Sequence, residues 1–299
     1  MKIRRGMRLT DIAKEMGQAG VLGAGRFARA VDLTREIFSK EYTCFLALAG
    51  PMVAGGLRQI IRDLIYHDYL DAIISTGANM THDVIEALGY RHTIGNAAAR
   101  DTSLREKRMG RIYDITIGMK AFEGTERAVY KILEKMPEGI RKNISGYEML
   151  WEIGRNLNDN NSILRTAYRK KVPIICPGLQ DSMLGMNLWT YSTIKTLVIN
   201  QFKDLTKLTE ISSEAEKVGA IIIGGGVPKH HLLISNILRG GVDAALQITM
   251  DRPEAGGFSG APLEEAISWG KIRNSRSIVT LIGDATILFP LIVAAALDS

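Results

Sequence analysis

Six short apolar runs, each closed within two residues by Gly, Asp or Pro, constrain the fold of this chain more than any other feature. They are CFLALAG (44–50), DAIISTG (71–77), VPIICPG (172–178), AIIIGGG (220–226), DAALQIT (243–249) and SIVTLIG (277–283). A strand buried on both faces reads as such an unbroken apolar run, whereas a strand with one wet face alternates. Amphipathic stretches such as GLRQIIRDLIYHDYL and FKDLTKLTEISSEAEKVG lie between several of them. Helices joining parallel strands give right-handed crossovers, so the expected class is α/β, with a doubly wound, mostly parallel sheet. Residues 102–170 are more charged and mostly helical in pattern, with RIYDITI as one added strand. No Pro/Gly/Ser-rich linker flanks them. They read as a helical insertion covering a sheet edge, and the chain 1–299 as a single domain.

A composition of 46% hydrophobic and 23% charged residues argues against a disordered or fibrous chain. The net charge of +6 is spread along the sequence, with clusters at 2–8 and 165–171. No nucleic-acid motif accompanies it, so it is a solubility term and no nucleic-acid partner is expected. Cys44 and Cys176 both sit in strand-like runs, as small buried residues do, and no metal site is expected. The N-terminus lacks the apolar stretch of a secretory signal. Asp284 interrupts the tail IVTLIGDATILFPLIVAAALDS, Pro290 follows, and neither half reaches the ~20 residues that span a bilayer. A strand, a loop at Gly283-Asp284 and a closing helix explain it, with no membrane contact and a cytoplasmic location expected.

In a doubly wound sheet, ligands bind beyond the carboxyl ends of the strands. Five segments fall there and read as loops: STGANMTHD (75–83), PGLQDSMLG (177–185), GGGVPKHH (224–231), TMDRPEAGGFSGA (249–261) and GDA (283–285). On one rim they would make a dinucleotide site, glycines admitting a pyrophosphate and Asp facing ribose hydroxyls. Each signal is weak alone: GGGVPK is not GxGxxG, glycines after strands are commonly turns, and Asp181 and Asp284 are equally well placed as helix caps.

SGAPLEEAISWGK reads as a helix start and stop, with Pro262 in a first turn, Glu264 and Glu265 at the positive end and Gly270 as terminator. Lys271 is then one more solvated cation. His230 and His231 open the helix after the glycines; being adjacent they point apart, so at most one, the nearer His230, aims into the rim.

IIIGGGVPKHHLLISN, SGAPLEEAISWGKI and GDATILFPLIVAAAL, in this order and spacing, resemble the C-terminal part of deoxyhypusine synthases. Weaker likeness continues through STGANMTHDVIEALG, RIYD and PGLQDSMLG, over roughly residues 20–297. The resemblance implies a Rossmann-like, NAD-binding domain assembled as a homotetramer. It implies oxidation of spermidine or a related polyamine, an imine on the lysine of SWGK, and aminobutyl transfer to a lysine of a translation factor, giving deoxyhypusine. Lys271 would be that nucleophile and His230 the base. Glu265 and Trp269 would line the polyamine channel. NAD would contact Thr76, Ala78, Asp181, Gly224, Gly225, Gly226, Met250, Asp284 and Ala285.

A free lysine has a pKa near 10.4, so about one in a thousand is neutral and nucleophilic at pH 7.4. An indole beside Lys271 and a cationic substrate would both lower that pKa. Glu265, one turn from Trp269, would pair with a substrate ammonium while Trp269 packs on its methylenes. The chain departs from the family pattern at several positions, and the family's DGSDSG-like loop reads AGGFSG here. Met186 and Phe258 replace acidic residues of the channel, and His82 replaces an acidic residue of the cofactor loop. A homospermidine synthase-like enzyme, passing the aminobutyl group to putrescine or another small amine, is the alternative within the family. A non-catalytic NAD-binding regulator is the alternative outside it. Lys229 is a rival nucleophile beside the same glycines.

Overall fold

The computed structural model describes residues 1–274 and 276–298. They divide into two compact units, Met1–Ala49 with Tyr69–Ile74 and Leu205–Ser299, and Gly50–Asp68 with Ser75–Asp204. In chain order the strands are β1 (Tyr42–Leu48), β2 (Ala72–Ser75), β3 (Thr93–Ile94), β4 (Met109–Ile112), β5 (Ile115–Gly118), β6 (Ile174–Ile175), β7 (Lys217–Ile223), β8 (Ala244–Thr249) and β9 (Ile278–Ile282).

The first unit is built on the order β2-β1-β7-β8-β9, with β1–β7, β7–β8 and β8–β9 parallel. The continuous apolar runs become strands buried on both faces; all six residues of β8 are buried. The register shows how both faces are covered. A side chain at Gly219 would strike Ile37 of the helix Leu22–Ile37. Gln247, paired with Ile222, bonds Lys229 of the helix Gly226–Ser235. Gly219 and Ile222 are three residues apart on one strand and so face opposite sides, which puts the two helices on opposite faces. The α/β doubly wound class is therefore present. The chain leaves β1 for β2 on one side and returns to β7 on the other, so the strand order reverses between β1 and β7. That reversal is where such folds bind ligands. The closing helix is Ala285–Leu297, and no helix among the described residues is long and apolar enough to cross a membrane.

The second unit contains residues 102–170 together with chain on either side of them, and most of those residues are helical, as in Lys120–Lys135 and Gly146–Asn156. Ser145 and Glu148 form a capping box that starts the latter helix. RIYDITI is two strands and not one. Ile112 pairs with Ile115 across a tight turn in which Tyr113 takes φ +51°, giving the antiparallel order β3-β5-β4. STGANMTHD is largely helix and not loop, because Thr76 caps Gly77–Ala87 by accepting a hydrogen bond from the Asn79 amide.

Candidate active site

Trp-Gly-Lys is a helix terminator that fixes where the lysine goes. The helix Glu265–Ser268 is a single turn, and Gly270 takes φ +68°, the left-handed conformation that glycine adopts without strain. The Gly270 amide donates to Ile267 O (2.9 Å) and the Lys271 amide to Ala266 O (2.9 Å), the paired bonds of a Schellman cap. Lys271 O then accepts from the Val242 amide at 3.0 Å. The backbone of Lys271 is thus held on both sides while its side chain stays free to project.

The side chain projects at His230: Lys271 Nζ lies 3.3 Å from His230 Nε2 and 5.6 Å from the centre of the Trp269 ring. Burial, and then the Lys271 charge, lower the His230 pKa from its ordinary value, so the imidazole is neutral at neutral pH and its Nε2 can accept a proton from the amine. Phe258 packs against His230, ring centres 4.4 Å apart. These residues, with Lys229 and Glu265, line one small pocket of about 80 Å³. Trp269 is 69% exposed. Glu264 lies on another face and lines a cavity with Arg26 and Arg29.

Lys229 is 4% exposed, and burial pushes its pKa down to about 8 against the opposing charges of Glu265 and Glu264. A lowered pKa alone would favour it as the nucleophile. Its geometry does not: Nζ donates to Gln247 Oε1 (2.9 Å) and to Ala261 O (2.6 Å). Gln247 Nε2 in turn donates to Gly224 O (2.9 Å) and Ser259 O (2.8 Å). This buried node ties the first turn of the helix, β8, the glycine turn and the 256–262 loop together, and it spends Lys229 on positioning. The reading of sequence left Gln247 out, although a Gln within the apolar strand AALQIT is a usable signal.

Gly224 (φ +75°) and Gly226 (φ +56°) need glycine for their backbone conformation. Gly225 needs it for space, since a Cβ there would lie 2.3 Å from Ser259 Cα. That space is filled by the chain's own loop. Gly225→Ala is accordingly expected to displace the loop and lower stability by about 1–3 kcal/mol, read by thermal unfolding.

The other expected cofactor residues divide between the units. In the first, Met250 is 68% exposed just past β8, Ala285 is buried, and Asp284 caps the closing helix, accepting from the Thr286 amide at 2.8 Å. In the second, Thr76 and the exposed Ala78 start a helix, and a side chain at Gly77 would meet Ser182 Oγ, which brings the Asp181 turn beside them. Ser182, not Asp181, caps the helix Met183–Ser192. Met186 is exposed on that helix. His82 is buried and bonded to His92 (2.9 Å), and burial drives its pKa down to about 4, leaving it neutral.

The fold and the lysine–histidine pocket define an α/β enzyme site built around an amine. The deoxyhypusine synthase family model matches residues 11–296. Over 299 residues the chain is 46% identical to the probable deoxyhypusine synthase of Methanothermobacter thermautotrophicus, covering 100% of this chain and 97% of that protein. It is 43% identical over 296 residues to probable deoxyhypusine synthase 1 of Methanosarcina acetivorans, covering 98% and 92%. The crystal structure of a candidate deoxyhypusine synthase from Entamoeba histolytica shares the fold, with TM-score 0.68, 20% identity and coverage of 99% and 95%. The chain belongs to the deoxyhypusine synthase family, transferases of hypusine biosynthesis.

Proposed function

We propose that the protein uses NAD to move the aminobutyl group of spermidine, through an imine on Lys271, to one lysine of a translation factor. The observation that carries this reading is the 3.3 Å approach of Lys271 Nζ to His230 Nε2 in a pocket that also holds Glu265 and Trp269. NAD fits the residues present: a glycine turn with two left-handed residues stands at the strand reversal between β1 and β7 and leads into the ten-residue helix Gly226–Ser235. Gly224 to Gly226, Met250, Asp284 and Ala285 of the first unit would hold it; Thr76, Ala78 and Asp181, the other expected contacts, belong to the second unit. Bound there, it would accept a hydride from the donor and return it to the product.

The chain's own residues do the rest. Glu265 pairs with a donor ammonium and Trp269 packs on its methylenes. Neutral His230 takes a proton from the amine nitrogen, and the Lys271 amine attacks the carbon of the oxidised C=N bond. The C–N bond to the leaving diamine breaks, and the aminobutyl group stays on Lys271 as an imine. The acceptor lysine then displaces Lys271 by the same exchange. The working assembly is proposed as a homotetramer in the cytoplasm.

Incubation with NAD, labelled spermidine and the purified translation factor, followed by mass analysis, tests this. Label on a factor lysine supports it, and label passed only to putrescine favours the homospermidine alternative. For the cofactor, Asp284→Asn keeps a capping oxygen and removes the charge. It is expected to weaken NAD binding about tenfold by calorimetry and to narrow the preference for NAD over NADP.

A further inference from the structure

We infer that Phe258 sets donor specificity: the pocket beside Lys271 recognises one ammonium on an alkyl chain and reads no second ammonium there. N-alkyl-1,4-diaminobutanes without a terminal amine on the departing arm are then held as well as spermidine. The inference rests on the proposed aminobutyl transfer and names the donor class that this pocket takes.

The charge inventory points this way. Glu265 is the one carboxylate among the residues lining the pocket, which also include Lys229, His230 and Lys271. A second ammonium placed against Phe258 would meet an aromatic ring, one face of which is occupied by the His230 imidazole at 4.4 Å and 33°. An exposed ring face binds a cation more weakly than a carboxylate does through a charge-assisted hydrogen bond. Methylenes lose nothing against the same ring and exclude water from it. Leu233 and Ala266 extend the apolar lining.

Phe258 is also held at this wall by its neighbours. Ser259 O accepts from Gln247 and Ala261 O accepts from Lys229, both buried donors. The loop backbone is fixed on the C-terminal side of the ring without using the ring itself. Substitution at 258 therefore changes the chemistry of the wall and leaves its support in place, and the 56% exposure of Phe258 leaves room for a polar replacement.

Calorimetric binding of spermidine and of N-propyl-1,4-diaminobutane to the full-length protein, as wild type, Phe258→Asp and Phe258→Leu, decides the matter. The wild type and Phe258→Leu are expected to bind the two amines within about threefold, and Phe258→Asp to prefer spermidine by about tenfold or more. A wild type that already prefers spermidine about tenfold, or an unchanged ratio in Phe258→Asp, overturns the inference. Aminobutyl transfer from spermidine is assayed alongside. Its absence counts against the proposed reaction, while the binding ratio still reads the role of Phe258.

Discussion

Lys271→Arg abolishes aminobutyl transfer while NAD binding persists; that is the expected result, with a loss of about 10³-fold or more in kcat. The arginine keeps the positive charge next to His230 but has no amine to form an imine, and guanidinium does not deprotonate in proteins. The Schellman cap uses only main-chain groups at Lys271, so the backbone is unaffected by the change. In the wild type, borohydride added during turnover should fix the aminobutyl group on the peptide containing Lys271. The competing outcome is specific: label on Lys229, or full transfer by Lys271→Arg, would move the nucleophile to the buried amine. Burial lowers the pKa of Lys229, so the experiment sets access and geometry against acidity.

The second large effect concerns the second unit. Asp83→Ala is expected to destabilise the protein by about 3–5 kcal/mol, read as a lowered urea midpoint. Asp83 is fully buried and accepts from Arg58 Nε (2.7 Å), Ser162 Oγ (2.8 Å) and the amides of Ile163 (3.1 Å) and Leu164 (2.9 Å). Those two amides begin the helix Ile163–Lys170, whose third amide, that of Arg165, is capped separately by Ser162 Oγ at 3.1 Å. Alanine leaves them buried and leaves the 6% exposed Arg58 with Asp159 (2.8 Å) and the longer contact to Glu86 (3.5 Å). A loss below about 1 kcal/mol would show that water or Asp159 replaces the carboxylate.

The parallel strands were legible in sequence because burial on both faces leaves a long apolar run that no surface element shares. β7, β8 and β9 each begin within three residues of the expected start. Lys271 and His230 were legible through the resemblance of their flanking motifs, and the structure brings their side chains together. Three things were not legible. The helical start at Gly77 depends on a Thr cap inside a run of small residues that equally suits a loop. The β4–β5 turn rests on a positive φ at Tyr113, a residue that carries no turn signature. The Lys229–Gln247 node joins side chains to carbonyl oxygens of Ser259 and Ala261, and a main-chain acceptor leaves no mark in the amino-acid order. For the same reason the amino-acid order does not reveal that Ser259 packs against Gly225.

That choice of acceptor has an evolutionary consequence. Every residue type offers the same carbonyl, so substitution within the loop over the glycine turn leaves in place the acceptors that Lys229 and Gln247 use. The side chain at 258 is consequently free to drift, since exchanging it alters what the pocket greets and not how the loop is moored. A lineage can retune its amine preference one residue at a time, with the lysine, the histidine and the glycine turn carried along unchanged.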